Sequence, residues 1–391
     1  MTNRPLKIGI VAQNVVRRDG QGRVALEAAR TASSRGHTVT VYAANLADEL
    51  LDHVNWVRVS VGAGPQVLKD IVLARNVRRA VSARDDSVIL VMGACAPMKR
   101  KAILYCACFC HAGWLKARKR YGLKADFYRR VHGLLSRRME KTALASVSFV
   151  AAMSPQIAEE VAELAPSQVK VETFPGGVEV SEYEPINESR RETQREKLGV
   201  DSQAFVIGLI GEYATGRKGL PLLLEAMQGR SDSSEVLLVH GDGPRDAMQM
   251  QLHQMGLEGK VLFPDPKIPV SDVMGACNVV AIPSLYEPFS LVALEAGACA
   301  LPVIISSTAG AAQVLSKDDA AIVFDTGDAA GLRQALDSVR SEPAKYSAMG
   351  ERARAVVSTL DWASVGDILT DFLEGVATGD EDVHHMGGIG L

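Results

Sequence analysis

Aromatic residues are scarce in this chain, at 5% of 391 residues, and long hydrophobic runs are missing altogether. No apolar run reaches the roughly 18–20 residues of a membrane-spanning helix. The opening "MTNRPLKIGIVAQN" carries no hydrophobic stretch of the length a secretory leader needs. The expectation is a cytoplasmic protein whose only membrane contact would be peripheral, on the inner face. Cysteine is also sparse: six residues in a chain of this length do not make a disulfide framework. Three of them, Cys106, Cys108 and Cys110, fall in "CACFC" at period two, as free thiols on one face of a strand would. A zinc site would need CxxC-type spacing with histidine partners, and only His111 is adjacent. The "VHH" near the C-terminus reads as tail. No clean GxGxxG occurs, so a dinucleotide-binding signature is absent.

What is present describes a globular protein. Hydrophobic residues make up 47% and charged residues 23%. The length exceeds one ordinary core, so two domains are expected. The net charge of −3 hides an asymmetry. Segment 99–141 holds thirteen Lys and Arg against two acids, Asp126 and Glu140; its net +11 leaves −14 for the rest. A cationic patch on an acidic protein points to an anionic partner.

Short β-rich runs alternate with helical stretches, the pattern of an α/β protein with parallel sheets. "LKIGIVAQ", "HTVTVYAA", "SVILVMGA" and "KAILYCACF" read as strands, and "YRRVHGLLSRRMEKTAL" as a helix with arginines beside its apolar stripe. A polar stretch, 176–202, separates this half from a second that restarts at "FVIGLIGEY". The expected domains are residues 1–180, rejoined by a last helix at about 361–376, and residues 200–360, with a disordered tail at 377–391. In open parallel sheets, ligands sit at the carboxyl ends of the strands. Two such domains facing each other would enclose a deep cleft.

Two glutamates stand out in "YEPFSLVALEAGACALPVIIS", because an apolar stretch makes a carboxylate expensive without partners. The pattern predicts a helix from about Phe289, with Glu287 at its N-terminus and Glu295 two turns on, roughly 12 Å away. The open N–H groups of Phe289, Ser290 and Leu291 would face an anion. The plain alternative is a capping glutamate and an exposed helical one. Arg217 and Lys218, in "GEYATGRKGLPLLLEA", precede a helix, where cations gain nothing from the dipole unless an anion lies there. "RRDGQGRVALEAAR" predicts a glycine loop at Gly20 and Gly22 before a helix, which lets backbone approach a ligand.

Taken in order, "DGQGRVALEAARTASSRGHTVTVYA", "VKVETFPGGVE", "GEYATGRKGLPLLLEA", "VLLVHGDGP" and "PSLYEPFSLVALEAGACALPVIIS" resemble the family-four retaining glycosyltransferases of GT-B fold. The likeness runs from Ile8 to about Leu373. It implies two Rossmann-like α/β domains facing a cleft, with C-terminal helices. It also implies transfer of a hexose from a nucleotide sugar, with no metal and no other cofactor. By resemblance, Glu287 lies against the donor sugar, Glu295 binds the ribose, and Lys218 contacts the diphosphate. The amides of Phe289, Ser290 and Leu291 hold the donor, and the loop at Gly20 and Gly22 closes over the phosphates. His111, after an N-domain strand, is the candidate on the acceptor side.

The chain departs from the family pattern in two places. Glu212 stands where many members have arginine, and Arg217 is the substitute charge. The first glycine of the N-terminal loop is replaced by Asp19. Within the family, "GEYATGRKG" and the basic segment 99–141 look most like lipopolysaccharide-core glucosyltransferases. That implies UDP-glucose as donor and a glycan or glycolipid acceptor, with the basic segment on an anionic membrane surface or simply solvated. Nucleic acid is a poor fit, since no stacking aromatics accompany the charge. Alternatives from the sequence are a GDP-mannose-dependent mannosyltransferase acting on a phospholipid, a GT-B-fold nucleotide-sugar epimerase, and a non-catalytic sugar-nucleotide-binding protein.

Overall fold

The structure, a computed structural model, describes residues 5–17, 19–93, 102–123, 127–230 and 234–379. The chain divides into two compact units. Unit 1 comprises Met1–Lys116, Lys124–Gly176 and Trp362–Leu391; unit 2 comprises Ala117–Leu123 and Gly177–Asp361.

Unit 1 runs β1 (Lys7–Val11), β2 (Asn14–Val15), α1 (Gly20–Ser34), β3 (Thr38–Ala43), β4 (Asn45–Leu46), β5 (Asn55–Arg58), α2 (Gln66–Ser82) and β6 (Val88–Met92). It continues through β7 (Ile103–Ala107), α3 (His111–Arg120, counted in unit 2 from Ala117 on), α4 (Phe127–Leu144), β8 (Phe149–Ala152), α5 (Pro155–Ala162) and β9 (Lys170–Thr173). Seven strands form one sheet in the order β5-β3-β1-β6-β7-β8-β9. Every pairing in it is parallel. The runs "VILVM" and "ILYCA" are buried at every position, as expected of parallel strands covered by helices on both faces. Edge strand β5, exposed at Asn55, Trp56 and Arg58, lacked the continuous apolar run that marks the inner strands.

The chain enters unit 2 at Gly177, and the next helix is α6 (Glu188–Leu198). Asn187 caps this helix at its start, and left-handed Gly199 ends it. The unit's strands and helices follow as β10 (Phe205–Ile210), α7 (Leu220–Met227), β11 (Glu235–His240), α8 (Arg245–Met255), β12 (Val261–Leu262), α9 (Val270–Ala276) and β13 (Val279–Ile282). After them come α10 (Leu291–Ala298), β14 (Val303–Ser306), α11 (Gly310–Ser316), β15 (Ile322–Phe324), α12 (Ala329–Ser341) and α13 (Pro343–Val357). The sheet order is β12-β11-β10-β13-β14-β15, again with all pairings parallel. Leu209, Leu223, Leu237, Val279 and Leu336 belong to the core that closes it. The order reverses between β10 and β13, which are hydrogen-bonded neighbours. That reversal opens the crevice at their carboxyl ends where such folds hold ligands.

The last helix, α14 (Trp362–Thr378), belongs to unit 1 and packs along α1. Arg35, closing α1, pairs with Asp367 at 2.6 Å and Asp371 at 2.5 Å. His37 Nε2 lies 3.0 Å from Glu374. The helices approach so closely at Gly366 that a Cβ there would fall 2.2 Å from Thr31 Oγ1 and 3.0 Å from the Glu27 carbonyl. α14 extends two residues into the segment expected to be tail; the remainder of that segment, from 380, including the "VHH", lies outside the described residues.

Because backbone stands on one side of this contact, a bulky residue cannot be absorbed by rotamer changes alone. Gly366→Val should lower the stability of unit 1 by about 1–3 kcal/mol. A urea midpoint equal to that of the unsubstituted protein would show that α1 and α14 are not closely packed.

Candidate active site

The carboxyl ends of β10 and β13 carry the two loops the sequence singled out, and adjacency of those strands brings the loops together. Gly219 lets them touch. It has φ +77°, and a Cβ on it would fall 1.8 Å from the Pro283 carbonyl oxygen, so no side chain is tolerated there. The Leu285 N–H donates to the Arg217 carbonyl at 2.8 Å, and Arg217 Nη1 donates to the Tyr286 carbonyl at 3.1 Å.

Glu287 sits in this junction with 5% of its surface exposed. Lys218 Nζ donates to its Oε2 at 2.5 Å and Ser284 Oγ to the same oxygen at 3.1 Å. Arg217 Nη1 lies 3.9 Å from Oε1. Burial pushes the carboxyl up, but Lys218, Arg217 and the two hydrogen bonds more than offset it, so the group lies below its ordinary value. The turn that carries it is held at several points. Ser306 Oγ donates to the Ser284 carbonyl at 2.8 Å, Gly310 N to the Glu287 carbonyl at 3.4 Å and Ala311 N to the Phe289 carbonyl at 2.8 Å.

Two expectations need correction here. First, α10 begins at Leu291, not near Phe289, so Phe289 lies outside it and Ser290 is its N-cap. Pro288 therefore ends the turn rather than starting the helix. Ser290 has φ 88° and ψ 85°, its side chain makes no capping bond, and its buried Oγ has no hydrogen-bond partner among the described residues. A serine in that conformation is strained. Second, the 12 Å derived from helical rise does not apply between Glu287 and Glu295, because the first four residues of the interval are not helical.

Glu295 is partly buried in α10. Burial raises its carboxyl to about 7, against a hydrogen bond from Tyr183 and the charge of Lys218, both of which lower it. Lys218 thus acts on both glutamates. Tyr183, in the segment before α6, was not anticipated. It lies more than one hundred residues from Glu295 in sequence, and nothing local marks it. Ser284 was legible only as part of the "PS" flank.

Glu212 turns inward to its own loop. Its Oε1 accepts from Thr215 N at 2.7 Å and Oε2 from Thr215 Oγ1 at 3.0 Å, while Thr215 Oγ1 accepts from Arg217 N at 3.3 Å. The residue that stands in place of an arginine shapes the turn that presents Arg217.

In unit 1, Gly20 and Gly22 are not a loop before a helix; they form the first turn of α1. Asp19 caps it, accepting from Gly22 N at 3.0 Å, and Asn14 holds the other Asp19 oxygen at 3.1 Å. An N-cap aspartate satisfies the donor that a ligand would otherwise take. His111 is the first residue of α3, directly after β7. Its ring stands edge-on to Phe109 with centroids 5.2 Å apart. Burial, then His132, push it down to about 4 against Asp70, so the imidazole is neutral near pH 7. Cys106, Cys108 and Cys110 are buried free thiols, and only Cys106 lies within the strand.

Residues 18–182 match the family described as Glycosyltransferase Family 4, and residues 190–356 match Glycosyl transferases group 1. Among curated proteins, a D-inositol 3-phosphate glycosyltransferase of Corynebacterium kroppenstedtii is 30% identical over 210 residues, 51% of this chain and 46% of that protein. One of the same name from Rhodococcus opacus is 27% identical over 213 residues, 52% of this chain and 47% of that protein. The chain thus spans about half the length of these curated relatives. Among solved structures, WaaG, a glycosyltransferase involved in lipopolysaccharide biosynthesis, aligns over 94% of this chain and 100% of its own at 19% identity and TM-score 0.74. Anabaena HepE in complex with UDP-glucose aligns over 95% and 100% at 17% identity and TM-score 0.72. These likenesses establish the fold as GT-B, two Rossmann-like domains.

The Glu295 carboxyl titrates higher in the folded protein than in the unfolded chain, so its stabilising contribution is complete below about pH 4.5. That contribution is lost as pH rises toward 7. Glu295→Gln should therefore stabilise the protein at pH 8 by roughly 1–3 kcal/mol, partial exposure discounted, and have little effect at pH 4.5. Urea midpoints at the two pH values measure this; an equal effect at both would show that ionisation of Glu295 is not disfavoured.

Proposed function

The chain belongs to the family-four, group 1 glycosyltransferases of GT-B fold, and from that premise we propose that it transfers a hexose from a nucleotide sugar, UDP-glucose first among candidates, to an acceptor bearing phosphate, with retention and without a metal ion. The observation that carries this reading is the Lys218–Glu287 pair beside Arg217 at the point where the strand order reverses. Lys218 and Arg217 supply the charge that a departing diphosphate requires, and the N-terminus of α10 adds its dipole. When the diphosphate takes the ammonium of Lys218, the Glu287 carboxylate is released toward the hydroxyls of the transferred sugar. Glu295, steadied by Tyr183, accepts from the ribose hydroxyls. The anomeric carbon gains oxocarbenium character as the bond to diphosphate lengthens. The acceptor attacks from the same face, giving its proton to the leaving phosphate oxygen. In unit 1, neutral His111 is the acceptor-side residue.

Supporting a phosphate-bearing acceptor are the names of the curated relatives, which act on inositol 3-phosphate, and the positive charge of α3 and α4. The donor choice leans on the fold neighbour that binds UDP-glucose. An epimerase would need acid and base groups around the sugar, and Glu287, held ionised by two cations, is ill-suited to exchange a proton.

Thermal stabilisation without added metal tests donor binding, because a ligand that binds only the folded state raises the midpoint. UDP-glucose should raise it; a rise with GDP-mannose instead would replace glucose by mannose in the reading, and no rise with either would defeat it. Glu287→Ala should reduce transfer by about 10²–10³-fold; a fully active variant would remove Glu287 from the chemistry.

The same reading places α4 on an anionic lipid surface. Phe127 is 83% exposed and Leu134 62%, on a helix that also carries Arg129, Arg130, Arg137 and Arg138. Apolar and basic side chains mixed along one helix suit the interface of an acidic bilayer. Among the described residues no helix is long and apolar enough to cross a membrane. Phe127→Glu should abolish co-sedimentation with phosphatidylglycerol vesicles; unchanged binding would exclude α4 as the contact.

A further inference from the structure

Helix α3 starts with only a weak cap of its own, the Cys110 Sγ, which accepts from the Gly113 N–H at 3.5 Å. Cys110 precedes it, and its first turn holds no acidic residue. A thiol takes only one of the open N–H groups of a helix start, and those of His111 and Ala112 still need partners in buried surroundings. The partner comes from thirty residues further on. Glu140, on α4, has none of its surface exposed. Its Oε1 accepts from the His111 N–H at 3.0 Å and its Oε2 from the Ala112 N–H at 3.2 Å. The Cys110 thiol donates to Oε2 at 3.6 Å. Leu115 meets α4 at Gly133, where a Cβ would fall 2.9 Å from Leu115 Cδ2. A second carboxylate, Glu160 of α5, lies against Gly113, 1.9 Å from where a Cβ would stand.

A local serine or aspartate would cap α3 equally well. What the distant carboxylate adds is direction. It grips the amide of His111 itself, so the backbone that carries the imidazole cannot shift without breaking a bond to a fully buried carboxyl, whose acidity burial weakens. Leaving a buried carboxyl and two buried N–H groups short of partners is expensive, which makes the arrangement stiff.

We propose that Glu140 is a positioning residue for His111: its buried carboxylate fixes the start of α3 on α4 and thereby holds the imidazole against Phe109, in the place from which it serves the transfer reaction. The catalytic half of this statement rests on the reading above; the positional half does not. The groups that face His111 from neighbouring helices are His132 on α4 and Asp70 on α2, and both remain in every variant below.

The test uses the full chain with Glu140→Ala, Glu140→Gln and Glu140→Asp. The first readout is titration of the His111 imidazole by NMR, assigned with His111→Asn. The wild-type ring should titrate near 4, the value to which burial holds it. In Glu140→Ala the freed ring should move at least one unit toward the ordinary 6.5. Glu140→Gln, which keeps the shape and one acceptor oxygen, should fall between. A folded Glu140→Ala protein with an unmoved His111 titration overturns the proposal. Should Glu140→Ala fail to fold, the same two outcomes are read on Glu140→Gln. The second readout is the kcat-against-KM split with UDP-glucose. Positioning predicts a fall in kcat of about tenfold or more with donor KM changed less than twofold, partly rescued in Glu140→Gln. A helix cap that served stability alone would lower the melting temperature of every variant and leave kcat untouched well below it. If no nucleotide sugar supports transfer by the unsubstituted protein, the functional reading fails, and the NMR titration still decides whether Glu140 places His111.

Discussion

The bond between Lys218 and Glu287 is the contact on which the rest of unit 2 depends. A carboxylate buried to this degree survives only if its partners arrive with it, and those partners come from a loop some seventy residues away. The loops meet because β10 and β13 are neighbours, because Gly219 has no side chain, and because Arg217 is tied to the 284–289 turn through both its main chain and its guanidinium. In the proposed reaction the same pair would carry the chemistry: the ammonium that neutralises the carboxylate would pass to the diphosphate and release the carboxylate toward the sugar.

Several oddities of the sequence acquire physical meaning from that junction. Glu212 supports the turn through Thr215, so the loop is shaped by a carboxylate that never faces an anion. Ser290 is held in the left-handed region with a buried hydroxyl that nothing among the described residues satisfies, a cost the protein carries beside its charged residues, where strain is most often stored. The two glutamates are driven apart in acidity by their neighbours. Two cations hold Glu287 ionised, while Glu295, with a tyrosine and one more distant cation, titrates near neutrality.

Unit 1 applies the same device in a different place. Glu140 is a carboxyl buried at the start of α3, and His111 stands where that group holds the backbone. In both units a fully or nearly buried carboxylate joins the end of a parallel strand to a distant helix or loop. Such joints specify one arrangement, because every alternative leaves a charge without a partner.

Much of this was legible in residue order. The alternation of apolar strands and amphipathic helices announced two parallel α/β units, and the spacing of Glu287 and Glu295 beside "RKG" announced the family. The termini of elements were less legible. The start of α10 was misplaced by two residues, because Pro288 resembles a first-turn proline, whereas the turn is pinned by α11 and the helix cannot begin until Leu291. Gly20 and Gly22 looked like a loop, but Asp19, read as a departure, turned out to be the cap that draws them into α1. Nothing local marks the partners of Tyr183 and Glu140, and Ser284 showed only as part of the "PS" flank. The order of residues by itself determined which segments are strands and helices, since periodicity and burial are local properties. Which carboxylate meets which cation, amide or phenol was decided by strand order and helix packing, since those bonds join groups dozens to hundreds of residues apart and exist only once the sheets have formed.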